Sequence, residues 1–199
     1  MTRQPRPPAP APHTIRRRSR IVAGACSLTA AAALALAGCG NAGSDEERQA
    51  EVVGAFYRIH IKNNAPGLPS AEELRQFQPL VSRALYQLLT QAEAADVRYH
   101  AVAGTQAPPI VEGDLFTSLY EGATSFSVVS CDTEDLRSSC QVAFKYGRDG
   151  ASEAWNDKIL LVLEDKQWRI DDIEFIGSDQ SSQREYLTDT LADAIQGAE

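Results

Sequence analysis

Apolar residues fall into three patterns along this chain: one nearly continuous run, then helical spacing, then alternation. The run covers residues 21–36 and follows Arg16, Arg17, Arg18 and Arg20. Beyond it, Val52, Val53, Phe56, Tyr57 and Ile59 recur at the spacing of one helical face. Ser44 with Glu47 forms a capping box ahead of them, and Asn63-Asn64-Ala65-Pro66-Gly67 stops the helix. Ser70 with Glu73 opens a short second helix that Pro79 ends or kinks, because proline cannot donate the next backbone bond. Val81, Leu85, Leu88, Leu89 and Ala92 then make an amphipathic stripe. Residues 101–122 read as loop, with Pro108-Pro109 and one turn of helix predicted over 115–120.

The period changes from there to two. Phe126 and Val128 alternate with serines, and Cys140, Val142, Phe144 and Tyr146 alternate with polar or small residues. Arg148-Asp149-Gly150 predicts a turn. Residues 159–163 are apolar throughout, the mark of a central strand covered on both faces. Residues 164–167 make a hairpin turn into Trp168 and Ile170. The alternation slips between that pair and Ile173 with Phe175, which predicts a β-bulge at Asp171-Asp172. Ser182 with Glu185 caps a last helix carrying Leu187, Leu191 and Ile195. Helices, then about four strands, then a helix is an α+β pattern, with helices packed on one face of a curved antiparallel sheet.

The apolar run changes the picture of where the protein resides. A basic stretch, an apolar segment and Leu36-Ala37-Gly38-Cys39 read as a lipoprotein signal peptide cut before Cys39. The run is about four residues short of the ~20 that a membrane-spanning helix needs. The expected organisation is a signal peptide over 1–38, a tether over 39–45 and one α+β domain over 46–199. Cys39 would carry palmitate and other acyl chains, which hold firmly when two or more insert. The expected place is the cell envelope, with the body in the periplasm. Gly40 lacks the aspartate that retains lipoproteins at the inner membrane of enteric bacteria, so the outer membrane is preferred.

Losing the leader's six arginines leaves 13 of 19 basic residues against all 27 acidic ones, a net charge of −14. Such a surface repels nucleic acid, and no nucleic-acid partner is expected. Cys26 leaves with the leader, so Cys131 and Cys140 remain as an even pair in an oxidising compartment. A disulfide is the default reading, with a metal or redox pair as the competitor.

Phe56-Tyr57-x-x-x-Ile61, Gly113-Asp114-x-Phe116-x-Ser118-Leu119, and Trp155-x-Asp157-x-Ile159 running into Trp168-x-Ile170-Asp171-Asp172 resemble the YbjP/YqhG-type lipoproteins. That resemblance spans residues 46–175 and implies a cone-shaped fold of the nuclear-transport-factor-2-like, or cystatin-like, kind. It brings a domain of unknown function and no catalytic residues. A cone has a mouth, and Tyr57, His60, Tyr120, Trp155 and Asp157 are the candidates to line it and hold a ligand. Tyr57 and His60 stand three apart and share a helical face.

No G-x-S-x-G, H-E-x-x-H, P-loop or EF-hand spacing occurs, so no cofactor, metal or catalytic residue is assigned. Glu112, Asp114 and Glu121 flank one loop without the dense oxygen spacing of a calcium site. The function expected is non-enzymatic binding of a protein partner or small ligand by a lipid-anchored protein. The alternatives are an immunity-type inhibitor of a toxin and an acid–base enzyme using His60 with Tyr57 or Asp157.

Overall fold

The computed structural model describes residues 44–104, 106–148, 151–177 and 185–198, and residues 41–199 cluster as one compact unit. The leader, Cys39, the first tether residues, the 149–150 turn and Ser182 lie outside the described residues.

Helix α1 (Asp45–Asn63) starts at the Ser44–Glu47 capping box and ends where Asn64 turns left-handed at φ 47°. Helix α2 (Ala71–Phe77) carries the second capping box, Ser70–Glu73, and stops ahead of Pro79. Helix α3 (Arg83–Ala103) is capped by Ser82, whose hydroxyl accepts the Leu85 N–H. Strands β1 (Ser125–Glu134), β2 (Arg137–Arg148), β3 (Ala151–Glu164) and β4 (Gln167–Gly177) form an antiparallel meander. A two-residue strand, β5 (Glu185–Tyr186), adds to its edge before helix α4 (Leu187–Gly197). The result is an α+β fold on an open, curved antiparallel sheet in the order β1-β2-β3-β4-β5.

Register explains which side chains face inward. Cys140, Val142 and Phe144 oppose Ile159, Asp157 and Trp155, and all six are buried. The pairing slips between Leu160↔Asp172 and Leu161↔Ile170, so Asp171 is the extra residue of a bulge. That bulge returns Ile173 to the inner face beside Trp168 and Ile170, and it resolves the slip in alternation. Phe56 and Tyr57 of α1 pack on this face with Phe77, Phe116 and Phe144, at ring-centroid separations of 4.7 to 5.2 Å. Each fully buried side chain of this size contributes roughly 1.5–3 kcal/mol. Trp168 Nε1 donates to Asp45 at 3.0 Å and Gln49 Nε2 to Thr133 at 2.8 Å, which fastens the start of α1 to the sheet.

Cys131 and Cys140 stand opposite each other across β1 and β2 and are joined by a disulfide. Among the described residues no helix is long and apolar enough to cross a membrane.

Three expectations change. Residues 159–163 are fully covered on one face only: Ile159 and Leu161 are buried, while Leu160 and Val162 on the other face are half-buried. Val162 lies in register between Arg137 and Arg169, whose long stems suit a partly apolar outer face. The predicted turn of helix over 115–120 does not form, because carboxylates elsewhere take its backbone N–H groups, Asp114 that of Phe116 and Asp157 that of Ser118. Glu185 joins β5 rather than a cap, and α4 begins at Leu187. The Asp172 carboxylate accepts both the Thr188 N–H at 3.1 Å and its hydroxyl at 2.7 Å, which seats that helix on β4.

Candidate functional site

The C-terminal half of α1 and the loop over residues 108–123 build a cleft of about 520 Å³. Asn64 ends α1 and lets the chain turn, and Gly67 N–H then donates to the Gly113 carbonyl at 2.6 Å, tying the two loops together. The 113–122 segment closes on itself through Asp114 N–H to the Tyr120 carbonyl at 2.9 Å. Two glycines at positive φ shape the wall. A Cβ on Gly113 (φ 74°) would lie 2.5 to 3.0 Å from three ring atoms of Tyr120, and one on Gly122 (φ 78°) would strike the Asp114 carboxylate.

His60 forms the deepest polar contact of this cleft. Its Nε2 lies 2.7 Å from Asp114 Oδ2, with the two side chains only 7% and 10% exposed. Asp114 Oδ1 also accepts the Phe116 N–H at 2.7 Å, an aspartate turn that fixes the carboxylate toward His60. The His60 ring meets the Phe116 ring edge-on at 5.1 Å.

The five candidate ligand residues divide. His60 and Tyr120 line the cleft, and Tyr120 is 64% exposed. Tyr57, Trp155 and Asp157 are core residues outside its lining. Tyr57 sits next to His60 at 6.4 Å between ring centroids, but its hydroxyl donates to the Phe116 carbonyl at 3.0 Å. Burial first, then the charges of Asp157 and Asp114, pushes its phenol well above the usual tyrosine range. Trp155 stacks on Phe144 at 5.5 Å and donates Nε1 to Asp157 at 3.1 Å.

Asp157 is fully buried, and both its oxygens are occupied. Oδ1 accepts the Ser118 hydroxyl and the N–H groups of Ile176 and Gly177; Oδ2 accepts the Ser118 N–H and the Trp155 indole. It therefore joins the 108–123 loop and the first half of β3 to the end of β4. The carboxylate that reaches His60 is Asp114, which the sequence reading placed in a loop motif and weighed, with Glu112 and Glu121, against a calcium site. Its signal was Gly113-Asp114-x-Phe116, a glycine ahead of an aspartate able to bond two residues on. Glu112, Glu121 and Tyr146 also border the cleft and carried no such signal.

A second groove, of about 780 Å³, runs past Tyr99, Ile110, Tyr186, Asp189 and Asp193. No buried polar side chain borders it, in contrast to the His60 cleft. Among the described residues no group of three His, Cys, Asp or Glu side chains is placed to hold a metal ion. No protein-family model matches this chain, and neither does any curated protein or solved structure.

Proposed function

We propose that this chain is a lipid-anchored envelope protein that binds a small ligand in the cleft over His60 and Asp114 without transforming it. The observation that carries the reading is the cleft itself. Its volume of about 520 Å³ falls within the roughly 300–1,000 Å³ of small-molecule sites, and one buried polar pair converges on it. The lipobox at Cys39, the tether after it and the resemblance to YbjP/YqhG-type lipoproteins of cone-like fold support the anchoring. A periplasmic body agrees with the Cys131–Cys140 disulfide.

The acid–base alternative narrows to His60 with Asp114. Tyr57 donates to a backbone carbonyl and Asp157 is enclosed by donors, which supports His60 with Asp114 over the trio of Tyr57, His60 and Asp157. The test is native mass spectrometry of the full-length gene product extracted from its own membranes. The expected spectrum shows a chain beginning at an acylated Cys39 and carrying an additional small molecule. Cys39→Ser is expected to release the protein from the membrane fraction. An unprocessed chain would overturn the anchoring, and a lipidated chain without retained ligand would count against the cleft.

A further inference from the structure

The cleft's chemistry narrows the class of ligand, on the reading that it is a binding site. Glu112, Asp114 and Glu121 line it, and among the described residues no lysine or arginine does. Among the described residues His60 is the one basic side chain there, and it already faces the Asp114 carboxylate at 2.7 Å. An anionic ligand would thus meet three carboxylates and find no fixed positive charge.

Two further features are built rather than incidental. The Tyr120 ring rests on Gly113, where any Cβ would collide with it, yet the residue stays 64% exposed. A large aromatic held in this way on the rim offers a ring to a partner. Deeper in, the Asp114 side chain is nine-tenths buried and borders the cleft, with one bond to each oxygen, from His60 and from Phe116. A carboxylate has about four acceptor sites, so acceptor capacity remains at the cleft floor. Ile61, Pro66, Pro109 and Val111 supply apolar wall between rim and floor.

We propose that the cleft takes an ammonium group carried on an apolar stem, a primary or quaternary amine. The Tyr120 ring attracts the cation through its negative face, and Glu112, Glu121 and Asp114 supply the opposite charge. The apolar wall receives the stem. The mature chain's net charge of −14 draws cations toward the body and repels anions.

The test compares three probes of nearly one shape, 2-phenylethylamine, 2-phenylethanol and phenylacetate, against the full lipidated protein in detergent micelles, by ligand-observed NMR and calorimetry. The amine is expected to bind on the order of tenfold or more tighter than the alcohol, with phenylacetate weakest. Tyr120→Ala and Glu121→Gln are each expected to weaken the amine severalfold, and by more than they weaken the alcohol. Equal affinity for amine and alcohol, or preference for the carboxylate, would overturn the ligand class while leaving a binding cleft. Binding of none of the three would also overturn it, and the cleft's role would then be judged by the molecule retained on extraction from membranes.

Discussion

Two aspartates hold the same loop of this protein and do different work. Asp157 is closed off: it is fully buried, its two oxygens accept five donors from the 108–123 loop, β3 and β4, and it lies outside the lining of the His60 cleft. Asp114 sits at the loop's other end, accepts from His60 and Phe116, and borders a cleft. Both side chains are at least nine-tenths buried, so depth alone does not separate the two. What separates them is whether the carboxylate's acceptors are all used inside the fold.

That contrast can be broken most forcefully at Asp157. Asp157→Ala would leave the Ser118, Ile176 and Gly177 N–H groups and the Trp155 indole without their acceptor. A loss of about 3–5 kcal/mol in denaturant unfolding is expected. A loss under about 1 kcal/mol would mean that water replaces the carboxylate and that Asp157 is no hub. Replacing Cys131 and Cys140 together by alanine tests the β1–β2 pairing, with Cys140 two positions along β2 from the residue that opposes Asp157. About 2–3 kcal/mol should be lost, with ligand retention unchanged.

Tyr57→Phe probes the residue that lies between the two carboxylates electrostatically. It removes one buried hydroxyl bond and is expected to cost about 1 kcal/mol at neutral pH. Its pH dependence follows from the raised phenol. The folded chain keeps the Tyr57 proton to higher pH than the unfolded chain, so stability is full below about pH 10 and falls as pH rises beyond it. The phenylalanine variant should lose less stability than the wild type over that alkaline range. Thermal melts followed by circular dichroism across it would show this, and parallel curves would contradict it. Smallest in stability is Tyr120→Ala, expected within about 0.5 kcal/mol because the ring is mostly exposed.

Elements that depend on local chemistry were legible in the sequence. Both capping boxes, the stop at Asn64, the hairpin at 164–167 and the bulge at Asp171 each rest on a few adjacent residues. Asp165 and Lys166 take positive φ in that hairpin, as a two-residue turn requires. What escaped was decided at long range. The Asp157 carboxylate reaches Ser118, 39 residues away, and keeps its segment from coiling into a helical turn. Asp172 caps α4 from the sheet across 16 residues, where local spacing favoured Ser182 and Glu185. The candidate cleft was partly legible: of five candidates His60 and Tyr120 border it, while Tyr57, Trp155 and Asp157 lie in the core. Pattern alone cannot tell an aspartate that meets five donors from one that meets a cleft.

The measurement that bears most directly on this contrast sets wild type beside Tyr120→Ala, each extracted from its own membranes and weighed intact by native mass spectrometry, with melting recorded on the same samples. The account predicts a small molecule retained by the wild type and depleted in Tyr120→Ala, with equal melting temperatures once both are stripped of it. A molecule retained equally by both, or by neither, would contradict it.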